Sequence, residues 1–169
     1  PDAVVLPADA GQIGPLLEIC AEAGIAVVPF GGGTSVVGGI APIRGDHDRV
    51  ISLDLVNLRG CDIDPVSRTA RLGAGLRGPE AEKLLGAEGF TLGHFPQSFE
   101  YATIGGFAAT RSAGQSSSGY GRFDSMVSSV RLIAPAAELS TLDTPHTAIG
   151  PTLREMVIGS EGIFGVIPA

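Results

Sequence analysis

An apolar run, Ile25 to Pro29, leads through Phe30 into the densest glycine stretch of the chain, Gly31-Gly32-Gly33-Thr34-Ser35-Val36-Val37-Gly38-Gly39. Five of these nine residues are glycine. Glycine adopts positive φ freely and lets a ligand or another backbone approach closely. Placed after a buried strand, its successive N–H groups can converge into a nest that holds an anion. Thr34 and Ser35 add hydroxyl donors. The competing reading is a turn that only redirects the chain, although a hairpin turn seldom needs so many glycines.

The excess extends beyond this loop: 25 of 169 residues are glycine, about twice the usual share of about 7%. No three-residue repeat runs through them, which excludes a collagen-like chain. Hydrophobic residues make up 44%, charged residues 17%, and the mean hydropathy is +0.30, so the chain is no disordered linker. Its length suits one domain with a sizeable core. Eleven basic against eighteen acidic residues give a net charge of −7, which argues against nucleic-acid or anionic-membrane partners. Lys83 is the only lysine. Cys20 and Cys61 form neither a disulfide framework nor a metal site, so a reducing, cytoplasmic setting is expected. No apolar run reaches the roughly 18 residues of a membrane span. The chain begins at Pro1 and ends in strand-like Val166-Ile167-Pro168-Ala169, and reads as a piece of a longer protein.

The element pattern predicts an α+β or mixed α/β fold with a partly parallel sheet. Ala3–Leu6 and Ile25–Pro29 read as strands. Between them Ile13, Leu16, Leu17 and Cys20 fall on one helix face, with Asp9 as N-cap, Gln12 as its capping partner and Gly24 at the C-terminus. This is a small βαβ unit. Val50–Asp54 is a third strand, and 61–64 with 69–73 a hairpin. Gly78-Pro79 opens a helix that ends at Gly89. A short helix is expected near Ile104–Thr110, a strand over Met126–Ala134, a helical turn over Leu153–Val157 and a last strand over Ile163–Ile167. Residues 135–150 are weakly patterned.

Several chemistries can be set aside. Gly33 to Gly38 has P-loop spacing, but no lysine follows. A dinucleotide fingerprint needs a helix opening at the glycines, and Val36–Pro42 is a poor helix start. No Gly-x-Ser-x-Gly elbow occurs. His47, His94 and His146 are scattered without metal-ligand spacing. Ser116-Ser117-Ser118 reads as a solvated loop.

Two further glycine sites carry information with the first: Thr103-Ile104-Gly105-Gly106 and Gly159-Ser160-Glu161-Gly162-Ile163-Phe164-Gly165. In this order the sites resemble the FAD-binding domain of the vanillyl-alcohol-oxidase and para-cresol-methylhydroxylase flavoproteins, over essentially the whole chain. Within that superfamily the pattern is most similar to alkyldihydroxyacetonephosphate synthase-like proteins and bacterial FAD-linked oxidases. The stretches that carry it are Pro29–Ser35, Phe95-Pro96-Gln97-Ser98-Phe99-Glu100-Tyr101-Ala102-Thr103-Ile104-Gly105-Gly106, Thr110-Arg111-Ser112-Ala113-Gly114 and Ile158–Ile167.

The resemblance implies FAD in a cleft between two α/β subdomains, a small one of about residues 1–55 and a larger mixed-sheet one of about 56–169. Pro29, Phe30, Gly31, Gly32, Gly33, Thr34, Ser35 and Val36 are the implied pyrophosphate loop. Pro96, Gln97, Ser98, Tyr101, Ala102, Thr103, Gly105 and Gly106 lie along the flavin and ribityl chain. Thr110, Arg111, Ser112 and Ala113 add contacts, with Arg111 offsetting phosphate charge. Glu161, Gly162, Ile163, Gly165, Val166 and Ile167 hold the adenosine side.

Some relatives attach flavin through a histidine in the glycine loop. Here Gly33-Thr34-Ser35 stand there, so FAD is expected to bind non-covalently. Gln97 stands where the family often has aspartate. A further C-terminal domain is expected to bind the small-molecule substrate and supply the catalytic residues, and the full-length protein is a candidate homodimer. Three functions stay open: an alkyl-synthase-like flavoenzyme, an FAD-linked 2-hydroxy-acid dehydrogenase of glycolate or D-lactate type, and a non-catalytic nucleotide-binding module.

Overall fold

The computed structural model describes residues 1–144, 148 and 150–169. His146 lies outside the described residues. The chain opens with a three-stranded sheet of β1 (Ala3–Val5), β2 (Ile25–Phe30) and β3 (Arg49–Asp54), in the order β1-β3-β2 and parallel throughout. In β3, Val50, Ile51, Ser52 and Leu53 are all buried. A strand covered on both faces belongs at the centre of a parallel sheet. The expected strand-helix-strand unit is therefore built with a difference: β1 and β2 do not pair, because β3 lies between them with Leu53 opposite both Val5 and Pro29.

The helix of that unit, α1 (Ile13–Glu22), follows a 3-10 turn at Ala10–Gln12 and buries Ile13, Leu17 and Cys20. Asp9 caps the turn by accepting from the Gly11 N–H at 2.8 Å. Gln12 reaches back to the Ala8 N–H at 2.8 Å, one residue before the expected partner. Gly24, at φ +65°, ends the helix in the left-handed region that glycine tolerates.

The rest of the chain carries two antiparallel hairpins and short helices. They are β4 (Cys61–Asp64) with β5 (Thr69–Leu72), α2 (Gly78–Ala87), α3 (Ile104–Ala109), α4 (Ser117–Tyr120), α5 (Phe123–Met126), β6 (Arg131–Ile133) with β7 (Glu138–Ser140), and α6 (Leu153–Val157). Three expectations are corrected here. Ser117 and Ser118 open α4 rather than sit in a loop. The strand expected from Met126 shrinks to Arg131–Ile133: α5 takes Met126, and at Val130 the Thr141 N–H donates to the carbonyl at 3.0 Å while the Thr141 hydroxyl, not a carbonyl, accepts the Val130 N–H at 2.9 Å. The strand expected at 163–167 reduces to one bridge, Val166 to Ile133, because Glu161, Gly162 and Gly165 hold positive φ of +53°, +86° and +146°.

Two apolar clusters result. One gathers Leu76, Phe107, Phe123, Leu132, Val157 and Ile167, and the other gathers Ile13, Leu17, Leu53, Leu58, Ile133 and Val166. The segment Gly73-Ala74-Gly75 crosses between them. Its N–H groups donate to Gly60 O, Pro168 O and Leu58 O at 2.8–2.9 Å. A Cβ on Gly75 would overlap the Leu55 carbonyl, whereas a Cβ on Gly86 in α2 meets open space. Gly75→Ala is therefore expected to destabilise the protein by about 1–3 kcal/mol through overpacking. Gly86→Ala should stabilise it by about 0.5–1 kcal/mol. Urea denaturation of the two variants checks both signs.

His94 is 1% exposed. Its ring lies 4.8 Å from that of Phe107 and 5.2 Å from that of Phe123. Burial pushes its pKa below the ordinary value, so the ring is neutral in the folded state. Protonation is then easier in the unfolded chain, and stability falls as pH drops through about 6.5. Asp124, held low chiefly by its bond to Arg122, loses its contribution only below the ordinary aspartate range, near 3.9. The melting temperature should fall between about pH 7.5 and about pH 5 in the wild type, and fall less in His94→Phe. Equal slopes in thermal melts would contradict this.

Candidate functional site

The carboxyl ends of parallel strands β2 and β3 lie side by side, joined by the Leu55 N–H donating to Phe30 O at 3.1 Å. Ligand crevices of α/β sheets form outside such ends. The glycine loop leaves from here and leans on the segment before α3. A Cβ on Gly31 would overlap the Thr103 hydroxyl, and one on Gly32 would overlap the carbonyl of Tyr101. Gly32 is thus required by main-chain packing and Gly31 by the Thr103 side chain. Gly33 and Gly38, at φ +70° and +81°, supply the turns that other residues resist. Between them Val36 and Val37 stand exposed.

A cleft of about 340 Å³ opens between three walls. The first is Pro29–Val37 with Gly39 and Ile40. The second is Ser98, Ala102, Thr103, Gly105, Gly106, Phe107, Ala109, Thr110 and Ser112, and the third is Glu161, Gly162, Gly165 and Ile167. Leu55 joins them at the end of β3. The size lies within the usual range of ligand sites, about 300–1,000 Å³.

The polar inventory of the walls is mostly hydroxyls and main chain. Thr103 caps α3 by accepting from the Gly106 N–H at 3.2 Å. Thr110 donates to Gly106 O at 2.9 Å, so its proton is committed. The Ser35 hydroxyl is buried without a partner. Ser112 Oγ lies 2.9 Å from His94 Nε2. Among the described residues that line the cleft, Glu161 is the only acid or base, with no lysine, arginine or histidine beside it.

Seven of the residues expected at the site do not line this cleft. Pro96 is buried behind the wall, while Gln97, Ala113 and the side chain of Ile163 are exposed. Tyr101 contributes its carbonyl beneath Gly32, with its ring in solvent. Val166 is core, against Ile133. Arg111 adopts φ +49°, and its guanidinium donates to Ile158 O at 2.9 Å and Glu155 O at 2.6 Å. It also pairs with Glu155 at 3.1 Å and Asp124 at 3.4 Å. It ties the end of α3 to α5 and α6. Of the lining residues that sequence reasoning left out, Gly39 belongs to the glycine run, and Phe107 and Ala109 flank Gly105-Gly106 on α3. Leu55 was legible as the residue after a strand end.

The family described as FAD binding domain matches residues 1–143. Alkyldihydroxyacetonephosphate synthase of Trypanosoma brucei brucei is 38% identical over 171 residues, covering 99% of this chain and 27% of the relative. The synthase of Dictyostelium discoideum is 34% identical over 168 residues, with the same shares covered. A solved alkyldihydroxyacetonephosphate synthase structure superposes with a TM-score of 0.91 at 32% identity, over 98% of this chain and 30% of that one. The chain thus spans about 27% of the length of these curated relatives. With the match running from the first strand through the first two walls of the cleft, the chain belongs to the FAD binding domain family.

Proposed function

We propose that the cleft holds FAD non-covalently and that the chain is the cofactor-binding part of an FAD-linked flavoenzyme of the alkyldihydroxyacetonephosphate synthase kind. The observation that carries this is a glycine-walled cleft at the carboxyl ends of parallel strands, in a chain of the FAD binding domain family. The residues present fit the cofactor. The buried, unpartnered Ser35 hydroxyl faces a need for a partner that a phosphate or sugar oxygen meets. Backbone N–H groups near Gly33 supply donors to an anion where no lysine or arginine stands. The phosphates are read to lie along Pro29–Val36, the flavin along Ser98–Ser112, and the adenosine side along Glu161–Ile167.

In this reading Arg111 acts indirectly, by fixing the end of α3 behind Thr110 and Ser112. A small first subdomain of about residues 1–55 and a larger second one of about 56–169 belong to the same reading, supported by a cleft lined both by residues 29–55 and by residues 98–167. Bound FAD supplies two-electron chemistry, and the protein positions it and sets its surroundings. Substrate binding and acid–base residues are assigned to other parts of a longer protein, in keeping with the share of the synthases that the chain spans. A 2-hydroxy-acid dehydrogenase carries less support, since both curated relatives described above are synthases.

Titration of the purified chain with FAD, followed by flavin absorbance and fluorescence, tests the reading. Saturable binding is expected. Gly32→Val should weaken it tenfold or more, about 1.4 kcal/mol, because the new side chain pushes the loop off Tyr101 and Ala102. Ser117→Ala, whose hydroxyl accepts from the Gly114 N–H outside the cleft walls, should leave it unchanged. Circular dichroism confirms that the variants fold. Absence of FAD binding, or equal affinity in a folded Gly32→Val, would overturn the assignment.

A further inference from the structure

Behind the second wall of the cleft lies a buried histidine–serine pair. His94 is packed against Phe107 and Phe123, and its only polar partner is Ser112 Oγ, 2.9 Å from Nε2. Its other ring nitrogen, Nδ1, is buried and unpartnered. A neutral imidazole carries one N–H, on one nitrogen or the other. Nδ1 is unpaired in either tautomer: with the proton on Nδ1 the orphan is a buried N–H, with the proton on Nε2 it is a lone pair, and orphaned buried N–H groups are the rarer of the two. With the proton on Nε2, the N–H is paired with Ser112. The geometry therefore selects the Nε2–H tautomer, in which His94 donates and Ser112 accepts.

That choice decides what Ser112 offers. Its backbone is already committed at both ends: the N–H donates to Phe107 O, and the carbonyl accepts from the Phe123 N–H, each at 3.0 Å. Its oxygen accepts from His94. What it has left is one lone pair and its own hydroxyl hydrogen, on a residue that lines the cleft, and the hydrogen is the group that an acceptor atom of a ligand can use. A hydroxyl normally rotates and can serve as donor or acceptor. Here the histidine occupies one of its two lone pairs and turns the hydroxyl hydrogen away from the ring. Thr110, on the same wall, has its hydrogen bound to Gly106 O and offers a ligand no donor.

We propose that Ser112 is a dedicated hydrogen-bond donor to an acceptor atom of the cofactor, a carbonyl oxygen, ring nitrogen or phosphate oxygen, and that His94 is the positioning residue that makes it one. The proposal rests on the reading that the cleft takes FAD. His94 touches no ligand. It acts by setting the direction of one O–H from within the core, where bulk water does not compete.

Two measurements test it. The first needs no FAD: the ring ¹⁵N signals of His94 in the cofactor-free chain at neutral pH should show the Nε2–H tautomer. The Nδ1–H pattern would overturn the proposal whatever the cleft binds. The second is FAD titration of variants. Ser112→Ala should weaken binding about fivefold, the effect of losing one hydrogen bond, while Ser112→Thr keeps it. In a His94→Phe background, which retains aromatic packing but frees the hydroxyl, the cost of Ser112→Ala should shrink, a coupling that a purely structural histidine does not produce. Wild-type affinity in Ser112→Ala overturns the serine's role and leaves the cleft reading standing. A wild-type chain that takes up no FAD overturns the cleft reading and this proposal together.

Discussion

Main chain lying directly on main chain is the contact on which this structure depends. At Gly32, Gly73, Gly75, Gly114 and Gly165 the absent side chain would fall on the backbone of a distant segment: Tyr101, Leu58, Leu55, Phe95 and Ile133 in turn. At Gly105 it would fall on Ala74. Interiors are close-packed, and even one methyl group in such a place forces the backbone apart. These approaches draw the glycine loop, the Gly73–Gly75 crossing, α3 and the last segment together. Glycine content, which first points to an anion nest, serves the assembly of the walls at least as much as the surface of the cleft.

The electrostatics of the site follow from that packing. Walls made of backbone and small residues present N–H groups and hydroxyls, and among the residues that line the cleft only Glu161 carries a charge. The one arginine in the neighbouring motif, Arg111, is drawn away from the cleft. Two main-chain carbonyls and the carboxylates of Glu155 and Asp124 hold it on the far side of α3. Neutral donors orient an anionic dinucleotide without placing a strong point charge beside it, and their value depends on being held in place. The supports lie one layer back, in Arg111 for the end of α3 and in His94 for Ser112.

Local signals carried much of the fold. Asp9 with Gln12, the apolar spacing of α1, Gly24 and Gly89 as helix stops, and the hairpin at 61–72 each act within a few residues, and each stands close to where its pattern places it. What failed was decided by partners far along the chain. The last strand was read from the apolar run Ile163–Ile167, but positive φ at Gly162 and Gly165 leaves only Val166 paired. The long strand from Met126 gave up Met126 to α5, and its pairing at Val130 is half taken over by the Thr141 hydroxyl. The order β1-β3-β2 depends on which strand can be covered on both faces, and a pairing between neighbours in sequence does not reveal that.

The sequence by itself determined the class of chain and the kind of ligand. Three glycine-rich sites in series and a hydrophobic, non-repetitive composition point to a packed domain with an anion-holding loop, because glycine patterns are local constraints on backbone shape, and the family resemblance that their motifs carry implies FAD. Only the tertiary structure decided which residues face the cleft. Arg111, Tyr101 and Val166 carry the motif but turn elsewhere, and Leu55, Phe107 and Ala109 complete the walls. Side-chain direction at a site depends on what packs behind it. His94 illustrates this, since nothing within its stretch of sequence announces that Ser112, eighteen residues on, is its partner.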